Sequence, residues 1–188
     1  MTIIIGGKYK GTRISVPRGN LVRPTSSLKK EALFSIITSH FIKLNDNKKF
    51  FNKIILDAFA GSGALGLEAL SRGANYCYFI EKNKITGEFL KKNCKKILNR
   101  NQYEIFNFNY YNMQFDLLNH NLDIIFFDPP YDYKIDKSLF NSISKKANKS
   151  CIYIVETSNK SSIPEISHLK VFNERIFGKT KITFLTRK

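Results

Sequence analysis

The chain has 188 residues, enough for one well-formed core and short for two. Hydrophobic residues make up 43% of it, no apolar run approaches the roughly 20 residues that cross a bilayer, and the opening "MTIIIGGKYKG" lacks the features of a signal peptide. The 31 Lys and Arg against 15 Asp and Glu give a net charge of +16, which predicts attraction to a polyanion, nucleic acid above all.

Residues 3–16, "IIIGGKYKGTRISV", read as two short strands around a basic, glycine-rich turn. A helix is expected from about Thr25–Ser27, with Leu28, Leu33, Ile36, Ile37, Phe41 and Leu44 on one face and a Ser or Thr as N-cap. After the polar linker "NDNKKFFNK" the pattern alternates: strand "KIILDAFA", helix "ALGLEALSRG", strand "YCYFIE", then an amphipathic helix with Ile85, Phe89, Ile97 and Leu98 inward. "YEIFNF" and "LDIIFF" are further strands, "KSLFNSISKKANK" a helix and "CIYIVE" a fifth strand, and the chain closes as a hairpin turning at Gly178–Lys179. Alternation of this kind implies parallel strands joined by crossovers, hence an open α/β sheet with an antiparallel strand from the hairpin at one edge. The domain division expected is a basic hairpin extension over 1–22 and one α/β domain over 23–188.

Cys77, Cys94 and Cys151 form no C-x-x-C, and His40, His120 and His168 are scattered. That argues against a disulfide framework or a metal site and fits a reducing, cytoplasmic setting.

Gly61, Gly63 and Gly66 match G-x-G-x-x-G between a strand and a helix, and Glu81 stands 20 residues after Gly61 at the end of the next strand. This is the spacing of a loop that binds a ribose-bearing cofactor. Asp57, at the end of the preceding strand, would repel a pyrophosphate and attract the ammonium of S-adenosylmethionine. The short chain also leaves no room for a separate dehydrogenase substrate domain. Both points favour S-adenosylmethionine over a nicotinamide cofactor.

The third pointer is the end of the fourth strand, "FFDPPY". Ligands of open α/β sheets bind beyond the carboxyl ends of the strands, so Asp57, Glu81, Asn109 and Asp128 should line one rim. An exocyclic amine of a nucleobase is a poor nucleophile because its lone pair is delocalised. Asp128 accepting one N–H, with a backbone carbonyl held by Pro129 and Pro130 accepting the other, would aim that lone pair at a methyl group. Tyr131 would supply a face on which an extruded base stacks.

Together, "LDAFAGSGALGLEALSRGA", "FFDPPY", "IIGGKYKG" and "RPTSSLKKEALF" resemble the RsmD family of bacterial 16S ribosomal RNA guanine-N2 methyltransferases, over nearly the whole chain. The resemblance implies a Rossmann-like class I methyltransferase: a mostly parallel seven-stranded sheet with an antiparallel C-terminal hairpin strand and an N-terminal β-hairpin extension. It implies S-adenosylmethionine as cofactor and a guanine amine in assembled or nearly assembled small ribosomal subunits as substrate. Carried over, Asp57, Gly61 and Gly63 hold the methionine part, Glu81 the ribose and Asn109 the adenine; Asp128, Pro129, Pro130 and Tyr131 form the catalytic motif. Phe59, beside the glycines, is a candidate cofactor contact that could equally be core.

Lys8, Lys10, Arg13 and Arg23 are the candidate phosphate contacts. The family pattern has an arginine where this chain has Leu28, and Lys29 or Lys30 could stand in only as point charges. Two other readings stay open: an adenine-N6 or cytosine-N4 methyltransferase, and a non-catalytic RNA-binding assembly factor. Nothing in the sequence demands more than a monomer.

Overall fold

A computed structural model describes residues 2–17, 26–44, 50–130 and 135–188. Arg23 and Tyr131 lie outside the described residues.

Strands β1 (Thr2–Ile3) and β2 (Arg13–Ile14) form a small antiparallel sheet. Helix α1 (Ser27–Lys43) follows, its first turn capped by Ser26, whose hydroxyl accepts from the Lys29 N–H at 3.3 Å. Then come β3 (Ile54–Asp57), α2 (Ala64–Ser71), β4 (Tyr76–Ile80), α3 (Lys84–Ile97), β5 (Tyr103–Phe106) and β6 (Leu122–Phe127). Helix α4 (Ser138–Ser144) leads into β7 (Ala147–Ser158), β8 (Leu169–Phe177) and β9 (Thr180–Arg187).

The main sheet has seven strands in the order β5-β4-β3-β6-β7-β9-β8. Strands β3 to β7 are mutually parallel, and β9 runs antiparallel between β7 and β8. The closing hairpin therefore adds two strands, and the second of them slots in beside β7.

Both faces of the sheet are covered, which is why its strands are apolar without alternation. Ile55, Ile124, Phe126, Ile152 and Ile154 face a core shared with Leu33, Phe34, Ile37 and Phe41 of α1, with Leu67 of α2 and with Ile4 and Ile14 of the hairpin. Leu56, Ile125, Phe127, Tyr153 and Val155 face a second core with Tyr110, Phe115, Phe140 and Ile143.

Several expectations need correction. Ile85 is 59% exposed, because the inner stripe of α3 consists of Thr86, Gly87, Leu90, Asn93 and Cys94. That stripe meets backbone: Asn93 donates to Ser15 O at 2.8 Å and Ser62 O at 3.0 Å and accepts from Ser15 N at 2.9 Å. Small and polar residues are needed there, so hydrophobic spacing misassigns the face. Leu28 and Leu44, at the two ends of α1, are 76% and 51% exposed.

Ala147–Lys149 extend β7 and do not belong to the preceding helix. The register between β6 and β7 shifts there, and Asp123 ties the irregularity together by accepting from the Asn148 side chain and from Ile54 N, both at 2.9 Å.

Candidate active site

The sheet's register builds the site. Asp57 ends β3 level with Phe79 of β4 and Phe126 of β6. Glu81 and Asp128 each lie two residues further on, so they flank the point where the chain leaves β3 for the glycine loop. The loop begins by bonding to both neighbours: Ala58 N donates to Phe126 O at 3.0 Å and Ala60 N to Ile80 O at 2.9 Å.

Gly61 and Gly63 take left-handed backbone, at φ 54° and 87°. Gly61 N donates to Glu81 Oε2 at 2.8 Å, and Asn83 N donates to Glu81 Oε1 at 2.7 Å. Burial pushes the Glu81 carboxyl above its usual range, and these two N–H groups pull it back. Asp57 accepts from Gly66 N at 3.0 Å, filling one of the donors that a helix start leaves unpaired. Burial, the largest cause, lifts the Asp57 carboxyl to about 7; the Gly66 N–H opposes this and the Glu81 charge adds to it.

Both acids assigned from sequence to a ligand thus also hold the loop itself. Each carboxylate oxygen accepts more than one hydrogen bond, so capacity remains toward a ligand. Gly66 does what the third glycine of the motif should: a Cβ there would sit 2.3 Å from a ring carbon of Phe79, so α2 lies directly on β4.

The other candidates fall as follows. Asn109 is exposed and caps a 3-10 turn, its side-chain oxygen accepting from Tyr111 N at 3.3 Å. Phe59 is half-buried and stacks on Tyr110, ring centroids 5.7 Å apart and 20° from parallel; Tyr110 itself is buried in the second core. Asp128 is half-buried, Pro129 buried and Pro130 exposed.

In the hairpin, Lys8, Lys10 and Arg13 are exposed. The hairpin is fastened to α2. Lys8 N donates to Ser71 O at 2.7 Å and Tyr9 N to Ser71 Oγ at 2.9 Å. Gly7 has φ +76° and an added Cβ would lie 1.8 Å from Ser71 O, so no other residue fits that approach.

Sequence reasoning missed the centre of this fastening. Glu68 of α2 is fully buried and accepts from Ile5 N at 2.9 Å, Gly6 N at 2.8 Å, Lys30 Nζ at 3.2 Å and Arg72 Nε at 3.0 Å. Lys30 Nζ also donates to Ile3 O. Burial lowers the pKa of Lys30, while Glu68 draws it back up. Lys30 is 0% exposed and cannot reach RNA, so it does not stand in for the family's arginine; Lys29, 11% exposed at its side chain, is paired with Glu156 of β7 at 2.6 Å. Among the described residues no cluster of three or more His, Cys, Asp or Glu could hold a metal, and no helix is long and apolar enough to cross a membrane.

Residues 2–186 match the model of the family described as "Conserved hypothetical protein 95". The ribosomal RNA small subunit methyltransferase D of Buchnera aphidicola subsp. Acyrthosiphon pisum is 35% identical over 175 residues, covering 92% of this chain and 86% of its own. The chain belongs to the RsmD family. The Escherichia coli K12 methyltransferase D is 29% identical over 192 residues, covering 98% of this chain and 89% of its own. Among solved structures, the Escherichia coli protein yhhF superposes with a TM-score of 0.78 at 25% identity, covering 99% of this chain and 97% of that one. The RsmD assignment thus spans hairpin, glycine loop and terminal strands alike.

Proposed function

We propose that this protein transfers a methyl group from S-adenosylmethionine to the exocyclic N2 amine of a guanine in 16S ribosomal RNA, within an assembled or nearly assembled small subunit. The observation that carries the reading is the placement of Asp128 and Glu81 on either side of the glycine loop, on one rim. The names of the relatives support a ribosomal RNA substrate.

The donor set fits the cofactor. Glu81, held by two N–H groups, offers its remaining lone pairs to ribose hydroxyls. Asp57 offers a carboxylate to an ammonium. Asn109 and Phe59 border the adenine end. When bound, S-adenosylmethionine supplies an electrophilic methyl carbon on a sulfonium.

Asp128 then accepts one N–H of the guanine amine, and the carbonyl of the rigid Pro129–Pro130 corner accepts the other. These contacts draw the nitrogen toward a tetrahedral shape and point its lone pair at the methyl carbon. Positive charge that passes from sulfur to the nitrogen, as the methyl–sulfur bond breaks and the N–C bond forms, would be stabilised by the Asp128 carboxylate. One amine proton leaves to Asp128 and then to solvent. Tyr131 would hold the flipped base by stacking, a contribution of about 1–3 kcal/mol. The extension over residues 1–22 serves as the RNA-facing part through Lys8, Lys10 and Arg13, and residues 23–188 form the catalytic domain, with Arg23 adding a phosphate contact at its start.

Asp128→Ala tests the role of the acid. Methyl transfer should disappear while cofactor affinity, read by calorimetry, stays within a few fold. Unchanged turnover would refute it.

A further inference from the structure

The Lys29–Glu156 pair plays no part in the steps above, yet its position is unusual. The two side chains are only 11% and 10% exposed, and Lys29 Nζ meets Glu156 Oε1 at 2.6 Å. Charged residues are seldom so buried, and a buried ion pair is on average no more stabilising than apolar residues of the same size. Among the described residues, Glu156 Oε2 and two of the three Lys29 donors have no protein partner.

The register says where the pair lies. Val155 of β7 is the partner of Phe127, the last residue of β6, so Glu156 is one step past the final pair, and the register carried on by one residue sets it beside Asp128, at about the 4.8 Å spacing of neighbouring strands. Glu156 continues the face of Ile152 and Ile154, the face on which α1 packs. In β6 the same alternation gives Ile124 and Phe126 that face, and continued one residue past the strand it gives it to position 128. The strand order β4-β3-β6-β7 then sets the rim in sequence: Glu81, glycine loop, Asp128, Glu156. The pair lies beyond Asp128 on the side away from the glycine loop, where the acceptor base must extend.

We propose that Lys29 and Glu156 read the Watson–Crick edge of the acceptor guanine, an inference that rests on the methyl-transfer reading above. Guanine presents N2–H, N1–H and O6 in a row: donor, donor, acceptor. With N2 at Asp128, the N1–H donates to the unpartnered Glu156 oxygen and O6 accepts from Lys29. Adenine and cytosine fail here for a physical reason. Behind its exocyclic amine each carries a ring-nitrogen acceptor, whose lone pair would face the Glu156 carboxylate, so the wrong base is repelled as well as unrewarded. The pair supplies the choice of base that D-P-P-Y alone does not make.

The test uses labelled S-adenosylmethionine and small subunits lacking the modification, with the double variant Lys29→Met/Glu156→Leu. It leaves no unpaired buried charge, so its melting temperature and cofactor affinity should stay near wild type. Its kcat/KM for subunits should fall on the order of 10- to 100-fold, the usual worth of a two-point base contact. Glu156→Gln, nearly isosteric, should fall at least about tenfold with cofactor affinity again unchanged, and it decides the matter if the double variant does not fold.

Wild-type turnover in either folded variant would overturn the proposal and leave the pair a structural clamp. Lost cofactor affinity would also overturn it, by moving the pair to the donor side. Wild-type protein inactive on subunits would instead sink the methyl-transfer reading, and this one with it.

Discussion

Removing the Glu68 carboxylate is the sharpest structural test. Glu68→Leu deprives four donors of their acceptor at once: Ile5 N, Gly6 N, Lys30 Nζ and Arg72 Nε. Hydrogen bonds to a charged group contribute about 1.5–3 kcal/mol each, so a simple sum would reach roughly 6–12 kcal/mol. That sum is too large. Leucine recovers apolar burial, and Arg72, 18% exposed, can turn toward water. Lys30 cannot, because its side chain is 0% exposed. The relevant comparison is a buried pair broken from one side, which costs about 3–5 kcal/mol. With a urea slope of about 2 kcal/mol/M, the midpoint should drop by about 1.5–2.5 M. The pair Arg72–Glu31, at 3.4 Å with Glu31 64% exposed, is the control. Glu31→Ala should cost under about 1 kcal/mol. Amide exchange at Ile5 and Gly6 should accelerate in Glu68→Leu, since the hairpin loses its tie to α2. A midpoint shift below about 0.3 M would show that the buried cluster does not hold the hairpin.

Two further outcomes follow from the site and the hairpin. Asp57 has a folded pKa of about 7 against an ordinary value of 3.8, so the fold favours its neutral form; the stability it contributes is full below 3.8 and lost as pH rises through about 7. Asp57→Asn should therefore flatten that part of the stability curve in urea melts between about pH 4 and pH 7, and an unchanged slope would refute the buried, destabilised carboxylate. Replacing Lys8, Lys10 or Arg13 by Ala should each lower the salt slope of subunit binding by about one, measured by filter binding across salt concentrations. A slope unaffected by all three would mark them as solvated surface only.

The glycine loop was the most legible part of the chain, because each glycine in it answers a local constraint that spacing encodes. Gly66 illustrates this: its contact with Phe79 and Cys77 follows from a helix laid on the next strand, and the motif specifies that packing. The sheet was legible for a similar reason, since runs such as "IIFF" can be buried on both faces only in a covered parallel sheet. What escaped was long-range polar burial. Glu68 sits in "ALGLEAL" like any surface glutamate, and its partners Ile5 and Gly6 are 63 and 62 residues away. Nothing local announces such a contact. Ile85 misled for the complementary reason: hydrophobic spacing assumes an apolar neighbour, and α3 meets the hairpin and loop backbone instead, through Asn93. Lys29 and Lys30 read as point charges standing in for an arginine, and only the fold reveals the carboxylates they pair with.

The identity of the methylated nucleoside tests the central claim most directly. Small subunits from a strain lacking the modification, incubated with labelled S-adenosylmethionine and digested to nucleosides, should yield label in N2-methylguanosine alone. Label in N6-methyladenosine or N4-methylcytidine, or no label while control methyltransferases are active, would contradict the account.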